Sequence, residues 1–286
     1  MFVEVNGARL FVDIEGSALV ADGPAMREKP TLILLHGGPG FDHSGFKPAF
    51  SQLSDLAQIV YVDHRGSGRS IGDDPATWNL AQWGDDVKGL CDALGIVKPI
   101  VYGVSFGGFV AQSYATRHPE HPSRLILTST AAKVDFPTVF AAFEQLGGLA
   151  AREAAEAYWL GPSAETRARY FEVCLPLYRR RPADPNAQTR AIIRNEVAIW
   201  FNGPHNEHGR MDFRADLARI TCPVLILAGE MDPITPIAFS ETIAANLTNS
   251  AVQVERFPDC GHGVIGDHPD RAIALIRTFI DGRSSA

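Results

Sequence analysis

The sequence lacks an uninterrupted apolar run long enough to cross a membrane, which takes about 20 residues. Its N-terminal stretch, 1–7, has neither a basic region nor an apolar core of signal-peptide length, so we expect a cytoplasmic protein. Positive charge is also scarce, since 26 Lys and Arg stand against 33 Asp and Glu, for a formal net charge of -7. This balance argues against binding to nucleic acid or to an anionic membrane surface.

Cysteine is rare, and no C-x-x-C pair occurs. The four cysteines are widely scattered, at Cys91, Cys174, Cys222 and Cys260. This spacing favours reduced, buried thiols over a disulfide framework or a thiol redox motif.

Cofactor-binding motifs are missing as well. No G-x-G-x-x-G opens the first strand-helix unit, which excludes a dinucleotide fold, and Gly66-Ser67-Gly68 lacks the lysine and spacing of a P-loop. Several His and Asp residues could suggest a metal, but none has a recognised metal-ligand spacing: His36, Asp42, His43, Asp63, His64, His205 and His208. We therefore predict that the protein uses no metal and no cofactor.

The most informative motif is a serine between glycines, Gly103-Val104-Ser105-Phe106-Gly107. The apolar run Pro99–Tyr102 before it predicts a buried strand, and Phe109–Ala115 after it predicts a helix. G-x-S-x-G at a strand-to-helix junction is typical of a nucleophile elbow, whose strained turn projects the serine hydroxyl from the sheet edge. The glycines fit this role, because a Cβ would collide across so tight a turn. Ser105 is thus the candidate nucleophile, with an ordinary Gly/Ser turn as the alternative.

Strands and helices alternate along most of the chain, which predicts a doubly wound α/β sheet. A hairpin around Asn6-Gly7 comes first, Gly16–Pro30 is expected to be a loop, and Gly45–Leu56 has helical spacing. The further predicted strands are Thr31–Leu35, Gln58–Val62, Leu125–Thr128, Val224–Ala228 and Val252–Phe257. Sites in such sheets lie beyond the carboxyl ends of the strands.

The strand signal vanishes between about 135 and 212, where helical stretches rich in Ala, Glu and Arg replace it, among them Val139–Leu149 and Ala151–Leu160. We predict a core of residues 1–134 and 213–286, with residues 135–212 inserted as a helical cap over the site. The cap's aromatic residues suggest a compact apolar acyl pocket or the cap's own core: Phe140, Phe143, Trp159, Trp200 and Phe201.

A serine hydroxyl needs a base to take its proton and an acid to orient that base. Asp232 and His262 each follow a predicted strand, so both belong to the same sheet edge as Ser105. Glu230 competes with Asp232 for the acid role. The order Ser, Asp, His is that of α/β-hydrolases.

The oxyanion of the intermediate needs two N–H donors. We expect them from the backbone of Phe106, directly after the nucleophile, and of Gly38, in the glycine-rich turn that follows strand Thr31–Leu35. His36 in that turn is expected to form structural hydrogen bonds.

The sequence resembles the α/β-hydrolase family over nearly its whole length, and within it the proline iminopeptidase-related branch. His36-Gly37-Gly38-Pro39-Gly40 matches that branch's H-G-G-P-G, and Asp63–Ser70 follows its D-Q-R-G-x-G-R-S. The resemblance implies an eight-stranded, mostly parallel sheet with a helical cap, and hydrolysis through an acyl-enzyme without a cofactor. The chain departs from the branch at the elbow, usually G-G-S-W-G, and at His64, usually glutamine.

The branch's peptidases bind the free amine of their substrate through cap glutamates. Glu196 is a possible equivalent here, beside Trp200, with Glu207 as a second candidate. We predict a serine hydrolase acting on a small molecule or short peptide, by preference an aminopeptidase of the proline iminopeptidase type. A carboxylesterase or lactonase for small esters is the alternative, and a non-catalytic binding protein of the same fold is the alternative from another class.

Overall fold

One large β-sheet runs through the computed structural model, which describes residues 1–182, 184 and 186–282. The strands in this part of the chain are β1 (Phe2–Val5), β2 (Ala8–Glu15), β3 (Leu19–Asp22), β4 (Ala25–Glu28), β5 (Thr31–Leu35), β6 (Gln58–Val62), β7 (Ile100–Val104), β8 (Arg124–Thr128), β9 (Val224–Gly229) and β10 (Val252–Phe257). Eight of them form the sheet, in the order β1-β2-β6-β5-β7-β8-β9-β10. The pairs β1-β2 and β2-β6 are antiparallel, and the other pairs are parallel. The predicted eight-stranded, mostly parallel sheet is confirmed.

Helices cover both faces of this sheet and extend above one edge. In the described residues they are α1 (Leu80–Leu94), α2 (Phe106–Arg117), α3 (Phe136–Leu160), α4 (Ala164–Val173), α5 (Ala187–Arg190), α6 (Asn195–Phe201), α7 (Glu207–Arg210), α8 (Ile237–Asn246), α9 (Val264–Asp267) and α10 (Pro269–Asp281). None of these described helices has the length and apolar character that crossing a membrane requires.

The central strands are apolar along their whole length because both of their faces are covered. In β5, Ile33 and Leu35 pack with α1 and α2 on one face, whereas Leu32 and Leu34 pack with α10 on the other. All four side chains are fully buried. Because β5, β7, β8, β9 and β10 are parallel, the chain segments that follow β5, β7, β9 and β10 lie at the same edge of the sheet.

Helices α3 to α6 form the cap. The two helical stretches predicted within Val139–Leu160 belong to one element, α3, which Gly148 breaks with a positive φ of 73°. Glycine tolerates this conformation, which other residues rarely adopt.

Two predictions about the N-terminal part of the chain were wrong. Gly16–Pro30 contains the hairpin β3-β4, whose side chains are almost all exposed, so no hydrophobic alternation marks it. Gly45–Leu56 forms no α-helix. Its residues lie in two short 3₁₀ helices, His43–Phe46 and Phe50–Leu53, on either side of Pro48.

Candidate active site

Ser105 lies at the junction of β7 and α2, in a backbone conformation that a residue with a side chain rarely adopts. Its φ of 54° and ψ of -120° place it outside the common regions, at a cost of about 1–3 kcal/mol. The surrounding structure holds it there: the Ser105 N–H donates to the Thr128 carbonyl at 3.0 Å. Its carbonyl accepts from the Thr130 hydroxyl at 2.9 Å. This is the geometry of a nucleophile elbow.

The glycines of the elbow are required by close backbone contacts. A Cβ at Gly103 would lie 2.3 Å from the Gly107 carbonyl oxygen, and a Cβ at Gly107 would lie 2.0 Å from that of Leu35. Neither distance is compatible with a side chain. The turn after β5 therefore lies directly against the first turn of α2, and Gly37 in that turn comes within Cβ contact distance of Ser105.

Asp232 and His262 form a buried pair at the same sheet edge. Asp232 follows β9 and His262 follows β10, and the His262 Nδ1–H donates to Asp232 Oδ2 at 2.8 Å. The same oxygen accepts from the Thr235 hydroxyl at 2.6 Å. The other, Oδ1, accepts from the N–H groups of Ile234 at 2.8 Å and Thr235 at 2.9 Å. Both carboxylate oxygens are thereby satisfied.

These bonds keep Asp232 ionised although it is only 3% exposed. Burial alone would raise the pKa of this carboxyl, but the charge and hydrogen bond of His262 and the Thr235 hydroxyl outweigh it and lower the pKa below its ordinary value. An ionised Asp232 fixes the tautomer of His262, so Nε2 of the ring is left to accept a proton.

The loop that contains His262 is fastened to the segment that follows the cap's α4. The His262 N–H donates to the Tyr178 carbonyl at 2.8 Å. Asp267, at the end of α9, is fully buried and accepts from the Gly261 N–H at 2.9 Å. Its carboxylate also accepts from the backbone N–H groups of Arg180 and Arg181, each at 3.1 Å. The side chains of this arginine run are exposed, as expected of a solvated turn, but its backbone holds the loop that contains His262.

The backbone N–H groups of Phe106 and Gly38, both near Ser105, donate to no acceptor among the residues that the structure describes. Phe106 is the first residue of α2, so its N–H has no partner within the helix. Its ring is locked in the core against Trp83, with ring centroids 4.9 Å apart. Gly38 has a φ of 57°, and a Cβ there would lie 2.6 Å from the ring of Phe41. These are the donors expected for an oxyanion hole.

His36 makes structural hydrogen bonds. Its Nε2 accepts from the His64 N–H at 3.2 Å and its Nδ1 lies 3.0 Å from the Gly37 carbonyl oxygen, to which it donates. Burial lowers the pKa of this imidazole, which keeps the ring neutral. His36 therefore fixes the start of the glycine-rich turn.

The motif Asp63–Ser70 supports the glycine-rich turn at His36–Gly40: the His64 N–H donates to the His36 ring, and the Ser67 hydroxyl accepts from the Gly40 N–H. Asp63 accepts from the His43 ring at 2.6 Å and from the Arg69 N–H at 2.9 Å. Arg69 also donates to Asp42 at 2.9 Å. Several of the His and Asp residues that could have suggested a metal are thus engaged with one another and with an arginine. Within the described residues, no group of three or more His, Cys, Asp or Glu side chains is arranged to hold a metal ion.

The cap residues proposed to bind substrate lie together in a different place. Glu196 and Trp200 line an open groove of about 400 Å³, along with Glu207 and Arg210. Its lining does not include Ser105. Glu196 is exposed and pairs with the neighbouring Arg194 at 2.9 Å, and Trp200 is 51% exposed. Glu207 accepts from the N–H of Leu80 at 3.1 Å, at the N-terminus of α1.

The other aromatic residues of the cap are buried. Phe143 packs on Tyr170 within the cap, whereas Phe201 packs on α2. Phe201 contacts Phe106 at a centroid distance of 5.1 Å, and Trp159 contacts His208 at 4.9 Å. The ring of His208 is surrounded by aromatic groups, and burial lowers its pKa to about 3. A neutral, apolar layer therefore separates the cap from α2, the helix that follows Ser105.

Four residues of the site were not identified from the sequence: Thr130, Tyr178, Thr235 and Asp267. Only Thr235 had a local signal, because a Thr three residues after an Asp commonly donates back to its carboxylate. Asp267 has partners more than 80 residues away along the chain, which no local pattern predicts.

Comparisons with known proteins agree with this arrangement. A model of the alpha/beta hydrolase fold family matches residues 30–269. Proline iminopeptidase PfmaB of Pestalotiopsis fici is 29% identical over 291 residues, covering 98% of this chain and 99% of that protein. The resemblance seen in the motifs is confirmed.

Solved structures show the same fold. A proline iminopeptidase from Mycobacterium smegmatis matches with a TM-score of 0.77 at 21% identity, covering 99% of this chain and 97% of its own. An esterase from Exiguobacterium antarcticum matches with a TM-score of 0.73 at 19% identity, covering 98% of each chain. The chain belongs to the alpha/beta hydrolase fold family, and it is a hydrolase of that fold.

Proposed function

We propose that the protein is a serine hydrolase that cleaves an ester or amide through an acyl-enzyme on Ser105. The observation that supports this most directly is the strained backbone of Ser105, at the same sheet edge as the buried His262–Asp232 pair. Strained backbone of this kind is concentrated at active sites, where the surrounding structure holds a reacting group in position.

In this mechanism His262 Nε2 takes the proton of Ser105 Oγ as that oxygen attacks the substrate carbonyl. The negative oxygen of the tetrahedral intermediate accepts from the N–H groups of Phe106 and Gly38. The protonated His262, stabilised by Asp232, then gives its proton to the leaving group. Water, activated by the same imidazole, hydrolyses the acyl-enzyme and restores Ser105.

For the substrate we favour an amino-terminal aminoacyl group, as in proline iminopeptidases. The support is the H-G-G-P-G turn at His36–Gly40 and the relative named proline iminopeptidase, which aligns over nearly the whole chain. An aminopeptidase of this kind needs a carboxylate that binds the free amine of the substrate, and Glu196 is the candidate.

A small-ester substrate for a carboxylesterase or lactonase is the second candidate, and one observation favours it. Glu196 is already paired with Arg194, and Glu207 accepts from the N–H of Leu80, so one oxygen of each carboxylate is already engaged. An ester substrate needs no such carboxylate.

The two candidates differ in kcat/KM for a prolyl arylamide and a short-chain aryl ester. Preference for the arylamide, with selective loss in Glu196→Ala, supports the aminopeptidase. Glu172→Ala is the matched control, because Glu172 is a cap glutamate that also pairs with a nearby arginine, at 2.8 Å. Turnover of the ester alone supports the esterase. Ser105→Ala should remove either activity by a factor of about 10⁶, and wild-type activity in that variant would refute the mechanism.

A further inference from the structure

Arg167, on α4 of the cap, is a buried cation without a counter-ion. Only 6% of its surface is exposed, and no carboxylate lies within ion-pair distance of it among the described residues. Its Nε is buried and has no hydrogen-bond partner. A buried, unpaired charge is costly, so a protein retains one where something else supplies the opposite charge.

The groups around Arg167 are hydrogen-bond donors or aromatic rings. The guanidinium lies over the ring of Phe171, 4.1 Å from its centroid, and the atom of its planar fork that is left without a partner is Nε. Burial raises the pKa of the Tyr158 phenol, and the charge of Arg167 and a hydrogen bond that Arg167 donates to the Tyr158 oxygen oppose this effect. The Tyr158 oxygen accepts from the Asn202 side-chain amide at 2.7 Å, so its own proton is left to donate.

Arg167 and Tyr158 lie on the side of the core that holds the glycine-rich turn at Gly38. The Arg167 guanidinium is 5.9 Å from the centroid of the Phe41 ring. Phe41 in turn folds over Gly38, where a Cβ would touch its ring, and its N–H donates to the Gly38 carbonyl at 3.0 Å. One phenyl ring thus separates the cation from the turn that supplies an oxyanion donor.

We propose that Arg167, with Tyr158, binds a carboxylate of the substrate, so that the preferred ester or amide carries a negative charge. A guanidinium fork matches a carboxylate in a bidentate arrangement, and the surrounding rings exclude the water that would weaken it. A single cation beside neutral donors suits one unit of charge better than a phosphate dianion. This inference rests on the proposed hydrolysis at Ser105, because it describes the substrate of that site.

The test is a binding measurement that does not depend on turnover. Ser105→Ala is titrated calorimetrically with hexanoate and with hexanamide, which have the same shape and differ in charge. Charge-assisted hydrogen bonds in a buried site change affinity by about tenfold to a hundredfold, so hexanoate should bind more tightly by that factor.

Adding Arg167→Gln to this variant should abolish the difference. Arg167→Lys, which keeps the charge without the planar fork, should retain part of it. Arg169→Gln is the matched control, because Arg169 is an exposed arginine on the same helix that pairs with Glu172, and the difference should persist there.

Equal affinity for the two ligands in Ser105→Ala overturns the proposal without any variant of Arg167. It is also overturned if Arg167→Gln folds cooperatively and still prefers hexanoate. The proposed hydrolysis fails separately, if the wild type cleaves neither arylamide nor aryl ester, or if Ser105→Ala retains activity, whatever the preference for hexanoate.

Discussion

Replacing Asp267 by Asn should loosen the loop that bears His262. The carboxylate accepts from three backbone N–H groups, those of Gly261 on one side and of Arg180 and Arg181 on the other. An asparagine has one oxygen, so it can satisfy only one side, and its amide then faces an N–H on the other. A buried donor without an acceptor costs about 1–3 kcal/mol, and bonds to a charged acceptor are at the strong end of that range.

We therefore expect Asp267→Asn to lower the free energy of unfolding by about 2–4 kcal/mol. For a chain of this size the corresponding fall in Tm is roughly 3–7 °C. Because His262 follows Gly261 directly, this proposed base should also shift, and a displacement of about 1 Å can reduce the rate by roughly 100-fold. The reduction should appear mainly in kcat, since Asp267 lies behind the loop and touches no substrate.

The assay is steady-state kinetics on whichever aryl ester or arylamide the wild type cleaves, together with thermal unfolding. Asp259→Asn is the matched control, because Asp259 is in the same loop but 79% exposed, with only a surface ion pair to Arg180. Such pairs contribute about 0–1 kcal/mol. If Asp267→Asn matches Asp259→Asn in both Tm and kcat, the assigned role of Asp267 is wrong.

Two further predictions concern the scaffold. Gly107→Ala should abolish activity and lower Tm strongly, because its Cβ would lie 2.0 Å from the Leu35 carbonyl oxygen, whereas Gly45→Ala, with open space around it, should change neither. Activity in Gly107→Ala would show that the elbow can rearrange. Burial raises the pKa of Asp63, but the His43 hydrogen bond and neighbouring groups outweigh it and hold the pKa at about 2, against an ordinary 3.8. Because the folded-state pKa is lowered, Asp63 contributes about 2 kcal/mol above pH 4 that is lost as the pH falls toward 2. Unfolding free energies measured across this range should fall less steeply in Asp63→Asn, and an unchanged slope contradicts this assignment.

The sheet and its site edge could be predicted from the sequence because their signals are local. The runs at β5, β7 and β9 are continuously apolar, and the positions of Ser105 and His262 depend only on the strand that precedes each of them. The exposed hairpin β3-β4 gave no such signal, because neither of its faces is buried.

Long-range packing explains the residues that were missed or placed elsewhere. Asp267 acts through backbone groups of the cap. Arg167 is notable because it is buried without a carboxylate partner, and a sequence does not show which charges are paired. Glu196 shows the opposite case. Its place on a cap helix made it a candidate for binding the substrate amine, but the fold places its carboxylate beside Arg194 in an outer groove.

The most direct test of the central claim is covalent trapping of the nucleophile. The folded wild type is incubated with a fluorophosphonate, which reacts with activated serines, and the adduct is located by peptide mass spectrometry. The account predicts one adduct per chain, on Ser105, and none on Ser105→Ala. An adduct on another residue, or equal labelling of the two proteins, would contradict it.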